Sequence, residues 1–514
     1  MKTHLYFFLS SFLYLLIAAC TSTKPLADGA SANVEFTILQ INDVYEIAPL
    51  ENGKAGGLAR VATVKKDLMQ ENPNTIATLS GDFLSPSLYA NLKLPDGERI
   101  AGQQMVETLN AMGLDYATFG NHEFDLKTAD LLQKRIHQST FEYTVCNASR
   151  ADGGQIRPFV QNINGQERAI PEYIIREFSN AQGGKIKVGI MGVVLPFNQQ
   201  PYVHYEPVTE QFQKTYQKLE PQVDVVIAMT HLNEVEDIAL AEAVPGVLIF
   251  LGGHDHAHMS HYVENTVITK ADANAKTVYI HRVTYNPLSK MASVRTSLKY
   301  IDDSIKDDLS TQLVVEKWQN NLYNIMRESG YQPDEVLMTT QEPLEGKEAD
   351  IRSRPTNYGQ LSVAAMEAAW PGADVYLLNS GSIRVDDDIS GAITQFDVLR
   401  TFPFGGGICQ MALPGNVLQM VLEIGLVQNR GEGGYFQIKN VEKRNGQWLL
   451  KGEAIAVSKK YNVVLPVFVA EGNEANLGLL KDFPKDDKDN LNSQGKSLKN
   501  DIRDIVMAYM RQLN

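Results

Sequence analysis

Five short apolar runs, each closed by a polar residue at its C-terminal end, limit this chain more than any other feature. Phe36–Ile41, Thr75–Leu79, Tyr116–Thr118, Val223–Met229 and Val247–Leu251 are brief and rich in β-branched residues. Bounded by polar or glycine-containing turns, they read as buried strands. Helical stretches such as Gly57–Gln70 and Gln103–Met112 alternate with them, the pattern of helices covering sheets and hence an α/β fold. The strand ends read Asn42-Asp43, Gly81-Asp82, Gly120-Asn121-His122-Glu123-Phe124-Asp125, Thr230-His231 and Gly252-Gly253-His254-Asp255-His256. A lone Asp after a strand is ordinarily a turn or helix cap. Five such ends in one stretch, all Asp, Asn or His, are not explained by capping. Ligand sites of α/β sheets gather at strand C-termini, and glycines let the backbone turn sharply so that side chains point into a shared crevice. Oxygen and imidazole donors without thiolates suit hard or borderline divalent cations: Zn, Mn, Fe, Co or Mg.

A length of 514 residues favours more than one domain, since single cores rarely grow past roughly 250–300 residues. The stretch 303–328 carries Leu313, Val314, Trp318, Leu322 and Ile325 at helical spacing and is expected to be an amphipathic helix. Tyr331-Gln-Pro-Asp then breaks the pattern, and Gly330 makes a plausible hinge. The expected layout is a catalytic domain over 35–302, a linker helix and hinge over 303–334, and a second α/β domain over 335–514. The segment 481–500, dense in Lys, Asp and Asn, reads as a solvated loop. The formal charge of −14 argues against a polymeric nucleic-acid partner, whose affinity rests on Lys and Arg neutralising phosphates. Small anionic substrates stay open provided positive charge is supplied locally.

Lys2 followed by the apolar run Leu5–Ala19 reads as a signal peptide over 1–19, too short at about 15 residues to span a bilayer. Ile17-Ala18-Ala19-Cys20 resembles a bacterial lipobox, with Cys20 as the lipidated residue and 20–34 as a tether. An exported, membrane-anchored lipoprotein at the periplasm or cell surface is then expected. The plainer alternative is a secretory signal that happens to end at a cysteine. Cys146 and Cys409 are distant and flanked by apolar residues, so both are expected to be buried thiols.

The motifs Ile41-Asn-Asp-Val-Tyr45, Gly81-Asp82, Gly120-Asn-His-Glu-Phe-Asp125, His231 and Gly252-Gly-His-Asp-His256 resemble, in order and spread, the calcineurin-like metallophosphoesterases and their exported 5′-nucleotidase branch. The resemblance implies a four-layer α/β/β/α sandwich with a two-metal site, followed by a smaller α/β nucleotide-binding domain. Asp43, Asp82 and His256 would hold one metal, with Asp82 bridging; Asn121, His231 and His254 would hold the other. His122 and Asp125 would form the catalytic dyad beside the scissile phosphate. One departure stands out, because the family's first motif is Asp-x-His and this chain has Asp43-Val44-Tyr45. Tyr45 is either a phenolate ligand favouring a ferric ion, or a neighbour that leaves the position to water or to a carboxylate such as Glu46.

Further matches lie in the second half. Arg352, with Arg354 as the near alternative, matches a substrate-binding arginine, and Asn379-Ser-Gly-Ser-Ile-Arg384 matches N-G-G-G-I-R, implying that Asn379 and Arg384 face the nucleotide. Phe404 and Phe468 match the pair that stacks on the base; the alternative for each is a plain core aromatic. Glu474 stands where the family has a ribose-binding Asp, and an upstream arginine of some members aligns near Glu348. The resemblance implies hydrolysis of nucleoside 5′-monophosphates by attack of metal-bound water. Alternatives on the same scaffold are nucleotide-sugar or dinucleotide pyrophosphatase, 2′,3′-cyclic phosphodiesterase and thiosulfohydrolase activities. A non-catalytic nucleotide-binding surface protein is a rival of another class, disfavoured by the intact His122/Asp125 pair.

Overall fold

A computed structural model of the chain describes residues 33–94, 97–197, 199–493 and 496–513. The expected signal peptide, Cys20 and the expected tether up to residue 32 lie outside the described residues. Two six-stranded sheets build the first half. In one, Val34–Ile41 runs parallel to Thr75–Ser80 and antiparallel to Thr277–Asn286. In the other, Val225–His231 lies parallel to both Lys185–Val194 and Val247–Gly253. The alternation of side chains along each strand explains the layering. Phe36 and Ile38 meet Ile190, Ile227, Met229 and Ile249 of the facing sheet. Leu39 and Ile41 point the other way, onto helices Leu58–Glu71 and Gln103–Met112. Val226, Ala228 and Phe250 do the same against helices Val208–Leu219 and Glu234–Ala243. Four layers, α/β/β/α, result as expected.

The second half centres on a five-stranded sheet ordered Phe436–Lys439, Val375–Asn379, Lys460–Pro466, Ile408–Pro414 and Lys485–Asp487. Helices Asn357–Ala369 and Gly415–Glu423 cover its two faces. The long helix is Leu309–Glu328, capped by Asp308, whose carboxylate accepts the Thr311 N–H. Its buried stripe is Thr311, Val315, Trp318, Leu322 and Met326, packed on helices Leu58–Glu71 and Gln103–Met112. Leu313, expected on that stripe, is exposed, because at 3.6 residues per turn it lies about 140° around the helix from Trp318. The segment 481–500 is not a loop. It forms the edge strand Lys485–Asp487 and a hairpin of Asn490–Ser493 with Lys496–Lys499. An edge strand with exposed charged residues carries no apolar alternation to betray it. Cys146 and Cys409 are buried free thiols, each pushed up to about 12 by burial.

Candidate active site

All five strand ends open onto one rim of the sandwich, and the turns that leave them are held in conformations few residues adopt. Asp43, Asp82, His254 and His256 have φ of 51°, 58°, 86° and 54°. Positive φ in non-glycine residues costs energy and persists where surrounding structure over-determines it. Two glycines are required by close approach. A Cβ at Gly81 would lie 2.4 Å from the Gly120 nitrogen, and one at Gly120 would lie 2.1 Å from Asp82 Oδ1.

Glu123, which sequence reasoning left without a role, ties these turns together. Its buried carboxylate accepts the N–H groups of Gly120 (2.6 Å), Asp82 (2.8 Å), Phe83 (2.8 Å) and Leu84 (3.0 Å). Burial, reinforced by Asp82, pushes its pKa up to about 7 against these donors. Asn42 fixes Asp43 similarly, donating to Asp43 Oδ2 (2.8 Å) and the Ala271 carbonyl (2.9 Å).

The structure brings Asp43, Asp82, Asn121, His231, His254 and His256 together. His231 Nδ1 donates to the Ser80 carbonyl (2.8 Å), turning Nε2 toward Asn121 Oδ1 (3.1 Å) and Asp82 Oδ2 (3.2 Å). His254 Nδ1 lies 3.1 Å from the same Asn121 oxygen. Burial pulls His231 down, but the Asp82 carboxylate outweighs it and lifts the imidazole to about 9. Burial and His231 together push His254 down to about 3, which leaves its lone pair available. Ligand atoms of Asp82, His231 and His254 lie within 4.8 Å of one another, close enough to share a cation. Asp43 Oδ1 is buried without a hydrogen-bond partner, 3.5 Å from His256 Nε2. An orphaned carboxylate oxygen beside imidazole and amide donors fits a divalent metal. Tyr45 reaches the same place: its hydroxyl donates to Asp82 Oδ2 (3.2 Å) and stands 2.9 Å from His256 Nε2. Glu46 instead faces the charges of Arg400 and Asp387.

Beside this cluster, His122 Nδ1 lies 2.8 Å from Asp125 Oδ2, which also accepts from Ser85 Oγ (3.0 Å). Burial opposes a charge on His122, but Asp125 and then Asp82 raise its pKa above the usual imidazole range.

A cavity of about 1720 Å³ separates the two halves and is lined from both sides. Asp82, Asn121, His122, His254 and His256 line one wall, and Arg352, Asn379, Arg384, Phe404, Phe468 and Glu474 the other. Phe404 and Phe468 are 52% and 51% exposed, so neither is a core aromatic. The Arg384 guanidinium sits 5.7 Å from the Phe404 ring centroid, within cation–π range. Arg352 pairs with Glu348 at 2.6 Å, whereas Arg354 is bound to Glu345 and Asp350 and does not line the cavity. Asn379 Nδ2 donates to Glu474 Oε2 (2.8 Å). Asp487 of the edge strand, Lys488 just after it and Lys499 of the hairpin also line the cavity, a contribution hidden once 481–500 is read as a loop.

Sandwich, a cluster able to hold a cation and a histidine–aspartate pair define a metal-dependent phosphoester hydrolase. The calcineurin-like phosphoesterase family model matches residues 36–258, and that of the 5′-nucleotidase C-terminal domain matches residues 336–479. The chain belongs to the family that joins these two domains. A snake venom 5′-nucleotidase of Naja atra is 24% identical over 506 residues, covering 86% of this chain and 90% of that protein. A trifunctional nucleotide phosphoesterase of Bacillus subtilis is 24% identical over 444 residues, covering 79% of this chain but only 29% of the longer protein. The crystal structure of a 5′-nucleotidase precursor from Thermus thermophilus shares the fold, with TM-score 0.73, 20% identity, and coverage of 93% of this chain and 96% of that one.

Proposed function

We propose that the protein hydrolyses the phosphate ester of nucleoside 5′-monophosphates. The observation that carries this reading is the two-walled cavity, with the metal-ligating cluster and His122/Asp125 on one side and arginines beside half-exposed phenylalanines on the other. Asp43, Asp82 and His256, with Tyr45 alongside, would hold one divalent cation, and Asn121, His231 and His254, again with Asp82, would hold a second. Such cations polarise phosphoryl oxygens and lower the pKa of water toward neutrality.

The chain's own groups do the rest. Asp125 holds the His122 ring through Nδ1, leaving Nε2 to donate a proton toward the phosphoryl group as charge builds there. Arg352 and Arg384 counter the substrate's negative charge in a chain of net charge −14. Phe404 and Phe468 offer π faces to a base, giving affinity with little discrimination among bases. Asn379 and Glu474, already hydrogen-bonded to each other, are suited to ribose hydroxyls.

A phosphate-release screen over nucleoside monophosphates, nucleotide sugars and 2′,3′-cyclic nucleotides, with the divalent metal varied, tests the reading. Release from 5′-monophosphates supports it, and no release from any of them with any metal overturns it. The cavity volume of about 1720 Å³ exceeds the roughly 300–1,000 Å³ usual for small-ligand sites. That favours nucleotide sugars or dinucleotides as a second substrate class in the same screen.

Phe404→Ala and Phe468→Ala are each expected to raise KM for a nucleotide about 5- to 150-fold, the equivalent of about 1–3 kcal/mol of stacking. Hydrolysis of ribose 5-phosphate, which has no base, should be unchanged. An equal loss on both substrates would rule out stacking. Export and lipid attachment at Cys20 belong to the same proposal and rest on the sequence alone; mass spectrometry of the membrane-bound protein, finding or lacking a lipid-modified Cys20, decides them.

A further inference from the structure

Each ligating imidazole has a second ring nitrogen, and what that nitrogen meets differs between His231 and His256. For His231 it is the Ser80 carbonyl of the same domain. For His256 it is the second domain: Nδ1 lies 3.0 Å from Asp386 Oδ2 and 3.7 Å from Glu348 Oε2. The Nε2 side faces Asp43 Oδ1 and the Tyr45 hydroxyl. Metal-bound histidines characteristically lean on a carboxylate through their other nitrogen, which fixes the tautomer and the ring and raises ligand basicity. Here the carboxylate in ion-pair reach of that nitrogen, at 3.0 Å, comes from across the cleft.

We propose that Asp386 is a positioning residue for His256, so that the cation site built on Asp43, Asp82 and His256 is complete only while the second domain is docked. This rests on the metal-site reading above. Asp386 is itself held firmly. Its Oδ1 accepts the Glu348 N–H (2.9 Å), and its carbonyl accepts Lys276 Nζ of the first domain (2.8 Å). Val385 before it is in the core, and Asp387 after it pairs with Arg400 through both oxygens (3.2 and 3.1 Å). Glu348 is the weaker partner for His256, being farther away and engaged by Arg352 at 2.6 Å. Asp386 is also two residues from Arg384. The loop that carries the cleft arginine therefore also carries the carboxylate that faces His256.

The test is cation affinity, measured without substrate by competition of Mn²⁺ against a fluorescent chelator, on the full chain and on Asp386→Asn and Asp386→Glu. Asn keeps the oxygen that accepts the Glu348 N–H but turns an NH₂ donor toward His256, so local structure is retained while the carboxylate contact is lost. The expected result for Asp386→Asn is a loss of about 10- to 100-fold at one of two sites, the size typical of removing such a partner. The other site should be unchanged, and Asp386→Glu should recover part of the loss. Unchanged affinity in Asp386→Asn overturns the proposal while leaving the metal site standing. Equal weakening of both sites with a lowered melting temperature also overturns it, since that marks a merely structural residue. Failure of the unaltered protein to bind Mn²⁺ at all overturns the metal-site reading and this inference with it.

Discussion

His122→Ala is expected to lower turnover on nucleoside 5′-monophosphates by roughly 10²- to 10⁴-fold, the usual contribution of a positioned proton donor. Metal content should stay at the level of the unaltered protein. The two effects separate because His122 serves the cluster through its backbone and the substrate through its side chain. Its N–H donates to Asp82 Oδ1 at 2.7 Å, and alanine keeps that bond. Its ring belongs to the pair with Asp125, and alanine removes it. Steady-state kinetics together with elemental analysis of the purified variant checks both halves. Turnover within a few-fold of the unaltered protein would remove His122 from the chemistry, and loss of metal would make it a structural residue.

Lys270→Met is expected to destabilise the first domain by about 3–5 kcal/mol, the penalty for leaving buried charges without their partner. Lys270 is fully buried. Its ammonium donates to the Leu232 carbonyl (2.6 Å), pairs with Asp237 (2.8 Å) and contacts Asp255. Burial works against its charge, but Asp237 and then Asp255 hold the lysine protonated. Asp255 sits between His254 and His256, and Asp237 lies on helix Glu234–Ala243. The lysine therefore ties the loop bearing both histidines to the layer behind it. A denaturant midpoint measured for Lys270→Met should fall sharply, with cation affinity reduced in the protein that remains folded. An unaltered midpoint would mean that the charges are satisfied without Lys270.

Much of this was legible in the chain because the chemistry sits at strand ends. A β-branched run that stops at Asp43, Asp82, Asn121 or His231 announces both the strand and the direction in which it points, and parallel strands bring those ends to one rim. Phe404 and Phe468 were legible only through the family resemblance, and only as candidates, since a lone Phe reads as core until its exposure is known. Glu123 was illegible for a physical reason: three of its four donors come from residues 82–84, and nothing local marks a carboxylate that will bind a distant backbone. Asp386 was hidden likewise, because Arg384-Val-Asp-Asp387 reads as a charged turn until the domains are docked. The strand Lys485–Asp487 and the following hairpin carry mostly polar residues at a sheet rim, so no alternation of hydrophobicity could signal them.

The two-walled cavity has an implication for how such a chain can diversify. The cluster and the His122/Asp125 pair come from residues 43–256, and the arginine and aromatic wall from residues 352–474. Changes in the second segment can present a different leaving group to an unaltered phosphoryl-transfer centre, so that specificity and chemistry vary as nearly separate heritable traits. Asp386 is the point at which that separation is incomplete. A recombined second domain that kept its pocket but lost this carboxylate would recognise its new substrate and hold one of its cations poorly.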